Sequence, residues 1–500
     1  MNVNPITRLD YPDPDVIRVE DTYYMVSTTM HFMPGCEILQ SFDLVHWEHV
    51  TYVYETLDHT DAQQLKSGQN IYGQGMWAAS LRYHEGRFYI CFVANDTRKT
   101  YLYTSEKIDG PWKKQLIEGF YHDGSLLFDE DGRNYIVYGN DEIWITELNE
   151  DLTAPKKDGL HRLLVSDHKN PELGYEGSHI QKINGYYYIF LVHSLRDRWM
   201  RTEACFYSDS LEGEFTGGDV LCDDRGYCGQ GVAQGGIVDT PDGKWYAMLF
   251  QDSGAVGRIP ILLPVTWKDH FPVFGQNGHV PEEIEVHSTR PGYIYQPLVG
   301  SDDFCNGLLP RWQFNHDPDP QYYHLDALQG TYTITTREVC TELTQAVNTL
   351  TQRMSYPSCA AEVTVDASAL KEGDVAGLCA LQSCYAAVGI TKHHGKYEVL
   401  MLDKKEDGIL DMTEGTVVES HQMDFRLEAD FCNMKDEARC YYRVNKGDWL
   451  PIGTVHKLYF KLDHFTGCRF GLFCYAAEET GGSACFRDFK YYDCLLYTSP

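Results

Sequence analysis

The chain has 500 residues, 43% of them hydrophobic, enough for two or three domains with sizeable cores. Acidic residues outnumber basic ones by 73 to 42 and the formal net charge is -31, which argues against nucleic acid and anionic membrane surfaces as partners. The sixteen cysteines are scattered, with no Cys-x-x-Cys pair and no Cys/His metal spacing, so most of them read as reduced core thiols. With no charged-then-apolar leader at the start and no apolar run long enough to span a bilayer, the expected compartment is a reducing cytoplasm.

The first element is an acidic turn, Tyr11-Pro-Asp13-Pro-Asp15, leading into the strand Val16 to Val19. Two prolines fix the backbone around Asp13 in an extended turn. A turn at Glu20-Asp21 and a second strand through Tyr24 complete a β-hairpin. The hairpin then recurs roughly every fifty to sixty residues. Its turns are Glu85-Gly86, Asp131-Gly132, Asn184-Gly185 and Asp242-Gly243, and its marker aromatics are Tyr89, Tyr135, Tyr188 and Tyr246. Asn-Gly and Asp-Gly between alternating apolar runs are strong hairpin signals. One four-stranded unit per interval is the spacing of a propeller, and five units end near residue 290. Residues 1–290 therefore read as a five-bladed β-propeller.

In a propeller the first strand of each blade lines the central channel. Counting back eleven or twelve residues from each marker aromatic reaches Asp13, Trp77, Asp123, Glu176 and Gln234. A shared register would bring three carboxylates, an aromatic and an amide to one end of the axis. Crowded, buried carboxylates repel one another and hold protons that solvated ones release.

The connections add further candidates. Phe32-Met-Pro-Gly35 after the first hairpin is placed to wall a pocket, and Arg258 after the fifth is placed to pair with a channel carboxylate or hold sugar hydroxyls. Phe128-Asp-Glu-Asp-Gly-Arg-Asn lacks the distal glutamate of a calcium loop and reads as a plain hairpin turn. Residues 291–300, which continue Arg290 as Pro-Gly-Tyr-Ile-Tyr-Gln-Pro, read as a linker. From residue 301 to 500 short strand-like runs and frequent turns predict a β-sandwich. The last residues, Cys494 to Pro500, break off abruptly, unlike a native terminus.

Two carboxylates across a concave pocket with a third beside them are the equipment of a glycosidase. The residues that carry this chemistry resemble glycoside hydrolase family 43, the β-xylosidases, α-L-arabinofuranosidases and arabinanases. Tyr-Pro-Asp13-Pro resembles that family's general-base motif. His122-Asp123-Gly-Ser resembles the segment of its pKa-modulating aspartate, and Glu176-Gly-Ser-His that of its general acid. Trp77, Phe32 and Arg258 resemble positions that shape its sugar subsite, with Gln234 counted as a fourth substrate-binding residue. The second domain resembles the concanavalin-like β-sandwich of the xylosidase-type members. The resemblance implies an inverting hydrolase that releases β-D-xylose from the non-reducing end of xylo-oligosaccharides. An α-L-arabinofuranosidase is the alternative, and a non-catalytic sugar-binding propeller a distant one. It implies no required cofactor. Many members carry a channel histidine in blade five that helps hold a central cation; Gln234 stands in that place here and leaves a calcium ion in the channel open. The implied partner is a small oligosaccharide.

Overall fold

The computed structural model of the chain describes residues 2–493, so the abrupt end at 494–500 lies outside the described residues. Five four-stranded antiparallel sheets follow one another in chain order. Their inner strands are Asp15–Val19, Met76–His84, Ser125–Phe128, Glu176–Ile183 and Val232–Asp239. They form blades 1 to 5 of the propeller expected from the hairpin repeat. The ring closes where Asn2–Val3 pairs with Glu283–Ile284. Asn4 reinforces that closure: its side-chain amide donates to Leu262 O at 2.8 Å and accepts from Leu262 N at 3.0 Å, stitching the start of the chain to blade 5. Trp47, just before the outer strand Glu48–Tyr54 of blade 1, packs with Val238, Tyr246 and Leu262 of blade 5, so each blade buries its apolar face on the next.

The channel register differs from the sequence count by one residue in two blades. The position that aligns across all five is a left-handed residue: Asp13 (φ 52°), Ala78 (φ 39°), Asp123 (φ 47°), Gly177 (φ 66°) and Gln234 (φ 66°). Four residues on, each inner strand pairs its marker partner: Ile17 with Tyr24, Arg82 with Tyr89, Leu127 with Tyr135, Gln181 with Tyr188, and Val238 with Tyr246. Trp77 and Glu176 therefore stand one residue before the shared position. The cause is turn length. Blades 1, 2 and 4 turn tightly, with Val19 opposite Thr22, His84 opposite Arg87 and Ile183 opposite Tyr186. The Asp131-Gly132 and Asp242-Gly243 turns of blades 3 and 5 are one residue longer, closed by Asp129 N to Arg133 O and Thr240 N to Lys244 O. Side chains two apart on a strand share a face. The channel is thus lined by successive rings: the left-handed residues; then Asp15, Ser80, Ser125, His179 and Gly236; then Ile17, Arg82, Leu127, Gln181 and Val238.

The C-terminal domain is a sandwich of a seven-stranded and a nine-stranded sheet. The alternation along Gln422–Asp430, with Met423, Phe425, Leu427 and Ala429 buried, shows how its strands face one core. The nine-stranded sheet does not stop at the domain boundary. Its edge strand is Phe32–Met33 from blade 1, which pairs with Phe314 and Asn315. Beside this seam, Arg353 of the sandwich forms a buried ion pair with Glu37 of blade 1 at 2.8 Å and covers the ring of Tyr11. The linker is pinned rather than loose: Tyr293 bonds Glu48, and the Tyr295 hydroxyl accepts from Phe42 N at 2.9 Å. The described cysteines are all free thiols. No helix of the described residues is long and apolar enough to cross a membrane.

Candidate active site

At the mouth of the channel the left-handed backbone turns Asp13 and Asp123 inward, and each is held by neighbours from other blades. Such strained positions persist where surrounding contacts over-determine them. Asp13 Oδ1 accepts from Arg258 Nη1 at 3.1 Å, and Asp13 Oδ2 accepts from the Thr28 hydroxyl at 2.6 Å. Thr28 in turn accepts from Ala78 N at 2.8 Å, locking blade 1 to blade 2. Asp13 and Arg258 are both buried, so this charge pair is shielded from water.

On the other side, Asp123 Oδ2 accepts from Gly177 N at 3.0 Å, and Glu176 Oε2 accepts from Asn140 Nδ2 at 2.8 Å. His122 lies between the two carboxylates, its Nε2 3.6 Å from Asp123 Oδ2 and 3.6 Å from Glu176 Oε2. Asp123 above all, with help from Glu176 and Asp13 and against the effect of burial, pushes the His122 imidazolium up to about 9. Burial raises the Asp123 carboxyl above its usual range, and the charges of Glu176 and Asp13 add to the rise, while His122 opposes it. This part of the pocket therefore keeps the His122 imidazolium charged at neutral pH.

The walls come from both domains. Phe465 of the sandwich lies 5.4 Å from Trp77, ring to ring, and 4.2 Å under the Arg258 guanidinium. Its carbonyl accepts from Arg258 Nη2 at 3.3 Å. Asp10 fixes this meeting point, accepting from Arg258 N and from Gly467 N, each at 2.7 Å. Trp77 Nε1 is buried and has no hydrogen-bond partner in the protein. Arg201 of blade 4 is buried on Asp252 at 2.9 Å, close enough to Glu176 and Asp13 for their charges to stabilise its own.

The sequence-derived residues are thus mostly convergent. Asp13, Asp123, Glu176, Trp77 and Arg258 meet at the mouth. Gln234 lines the channel, its side chain filling the space a Cβ at Gly177 would need, and its N donates to the buried Glu203 at 2.7 Å. Phe32 does not line the site. Its ring is buried among Leu343, Tyr385 and Phe473 of the sandwich with the Arg469 guanidinium 3.4 Å above it, because its segment is the edge strand of that sheet. Sequence reasoning missed His122 as a separate group, and also Asn140, Thr28, Arg201 and Phe465. His122 had a signal, standing beside Asp123 in the same motif. Phe465 had none, lying 207 residues beyond the Arg258 it meets.

Two places have donors to test for a metal. His122, Asp123 and Glu176 bring ligand atoms within 4.8 Å of one another, but His122 there is held as an imidazolium, which offers a metal no lone pair. In the channel below, the carboxylate of Asp15 is already engaged by Arg82 Nη1 at 2.8 Å and His179 Nδ1 at 3.2 Å. Calcium takes six to eight oxygen ligands, waters among them, and the one carboxylate of this ring is already committed to a guanidinium and an imidazole, so the ring is a poor fit for that ion.

Known proteins place this geometry. The sequence model of the glycosyl hydrolases family 43 matches residues 3–272, and that of the β-xylosidase C-terminal concanavalin A-like domain matches residues 301–492. A β-xylosidase of Formosa agariphila is 26% identical over 96% of this chain and 88% of its own. A non-reducing end α-L-arabinofuranosidase of Bacteroides ovatus is 24% identical over 82% of this chain and 79% of its own. Among solved structures, a bifunctional GH43-CE protein of Bacteroides eggerthii superposes with a TM-score of 0.92 at 42% identity; it covers 99% of this chain, which spans 64% of that longer protein. An all-β propeller with this second domain, three acids at its mouth and these sequence matches has one assignment: the chain belongs to glycoside hydrolase family 43.

Proposed function

We propose that this glycoside hydrolase is an exo-acting β-D-xylosidase that inverts the anomeric centre in a single displacement. The observation that carries the reading is the division of the mouth into two unlike halves. Asp13, paired with Arg258, is placed to act as an ionised base. The other half, His122 with Asp123 and Glu176, keeps an imidazolium beside two carboxyl groups and is placed to supply a proton.

In this reading Asp13 takes a proton from a water molecule as that water attacks the anomeric carbon. The glycosidic bond breaks on the opposite face, and Glu176 gives its proton to the departing oxygen. Asp123, hydrogen-bonded to the backbone beside Glu176, fixes the strand that carries the acid. His122 and Asn140 orient the acid. Arg258, stacked on Phe465, holds the base and presents its remaining edge to sugar hydroxyls. Trp77 and Phe465 enclose one sugar ring. Insertion of Phe465 from the second domain limits the pocket to a chain end, which supports release of single sugars.

Relatives named β-xylosidase favour xylose, and a relative named α-L-arabinofuranosidase keeps that sugar as the second reading. Hydrolysis of aryl β-D-xylopyranoside and aryl α-L-arabinofuranoside, with Asp13→Ala as control, separates them. The proposal expects xyloside turnover that the control abolishes. Turnover of the arabinoside alone moves the specificity to the second reading, and turnover of neither overturns both.

A further inference from the structure

Arg82 comes from the third channel ring but reaches back up the axis. Its guanidinium touches the strand of each of the three acids at the mouth. Nη1 donates to Asp15 Oδ2 at 2.8 Å, two residues beyond Asp13. Nε donates to Leu126 O at 2.8 Å and Nη2 to the Ser125 hydroxyl at 2.7 Å, both on the strand that follows Asp123. Nη2 also reaches Ile180 O at 3.2 Å, on the strand that begins with Glu176. Around it, Leu81 N donates to Asp15 Oδ2 at 2.8 Å, and Ile180 N donates to the Ser125 hydroxyl at 3.0 Å. His179 bonds the other oxygen of Asp15 at 3.2 Å.

The electrostatics agree with this geometry. Burial pushes the Asp15 carboxyl up, but Arg82 and His179 outweigh it and hold the group down to about 2. Asp15 is therefore a fixed anion in the centre of the propeller, and Arg82 is its fixed counter-ion. A planar fork with five donors satisfies several oxygens at set angles, as a metal ion would with its coordination shell.

We propose that Arg82 is a built-in channel cation that sets the relative positions of Asp13, Asp123 and Glu176, so that activity and fold depend on no metal in the channel. The roles of the three acids rest on the function proposed above. Arg82 is a positioning residue: it acts through Asp15, Ser125 and Ile180 and touches no substrate.

The test combines chelation with substitution. The purified protein is treated with EDTA, its residual metal is measured by mass spectrometry, and its melting temperature and aryl xyloside turnover are recorded with and without added calcium. The proposal expects less than one bound ion per chain and no response to either reagent. Loss of activity or of melting temperature on chelation, restored by calcium, overturns it. Arg82→Ala should lower kcat by about 100-fold, as a roughly 1 Å misplacement of reacting groups does, with KM changed less than about threefold. Added guanidinium, which fits the space left, should recover part of the loss, and Arg82→Lys should lie between. A folded Arg82→Ala with unchanged kcat, or a loss that falls on KM alone, overturns the positioning role. If Arg82→Ala does not fold, Arg82→Lys and the chelation arm decide. If the wild type turns over no xyloside, the proposed substrate fails, while metal content and melting temperature still judge the cation.

Discussion

Arg258 Nη1 lies 3.1 Å from Asp13 Oδ1, and both side chains are buried. The pair joins the third strand of blade 5 to the turn before blade 1 and sits against Phe465 of the second domain. Truncating one partner of a buried pair leaves the other charge uncompensated, at a cost of about 3–5 kcal/mol. Arg258→Ala should therefore lower the melting temperature and reduce kcat/KM by at least about 100-fold. A variant with normal melting and normal turnover would separate Arg258 from the site.

Glu176 is assigned the proton donor. Glu176→Gln keeps its size and its bond from Asn140 but has no proton to give. On xylobiose kcat should fall by about 100- to 10,000-fold, the usual worth of general acid catalysis. On an aryl xyloside with an activated leaving group the loss should be at most about tenfold, since that oxygen needs little protonation. Equal losses on both substrates remove the acid role.

His122 links stability to pH. Its folded value, pushed up to about 9 chiefly by Asp123, exceeds the ordinary 6.5. The stabilisation is fully present below pH 6.5 and is lost as pH rises through about 9. Melting temperature should fall between these values, and less so in His122→Asn. Removing the imidazolium also lets the neighbouring carboxyls hold their protons longer, so the alkaline limb of kcat/KM in that variant should move up by about one pH unit. An unmoved limb would show that His122 does not govern the acid.

Asp123 carries a stability term of the same sign in a lower pH window. Burial raises its carboxyl, so the folded state binds a proton more tightly than the unfolded chain. Its contribution falls as pH rises from 3.8 through the raised value. Asp123→Asn keeps an acceptor for Gly177 N and removes the buried charge. Melting at pH 7 should rise by about 2 °C, and kcat should fall about 100-fold, the trade expected at a strained active site. A loss of both would make Asp123 structural.

Phe465 tests the second domain's part. Phe465→Ala removes the face that meets Trp77 and Arg258 while leaving the bond from Arg258 to the residue's own carbonyl. KM for the aryl xyloside should rise about tenfold, the worth of one lost apolar contact surface, with melting nearly unchanged. An unaltered KM would place the sugar elsewhere.

Much of this was legible in the sequence, for reasons visible in particular residues. The Asn184-Gly185 and Asp131-Gly132 turns gave the blade repeat, because few residue pairs make such turns. The three acids followed from their place before each hairpin. The count stood one off at Trp77 and Glu176 because it took twelve residues in blades 2 and 4, whose turns are as short as that of blade 1, and turns differing by a single residue leave no trace in the aromatic pattern. Phe32 was misassigned because a Phe-x-Pro-Gly loop looks the same whether it walls a pocket or extends a neighbouring sheet; only the pairing with Phe314 and Asn315 distinguishes them. Phe465 and Arg82 escaped because their roles arise from long-range meeting of strands, which local periodicity does not encode.

The central claim is a single displacement with Asp13 as base and Glu176 as acid. Proton NMR of the first sugar released from an aryl β-D-xylopyranoside, read before mutarotation, tests it most directly. The account predicts that α-xylopyranose appears first and that Asp13→Asn releases none. Initial release of β-xylopyranose would mean retention through a covalent intermediate and would contradict it.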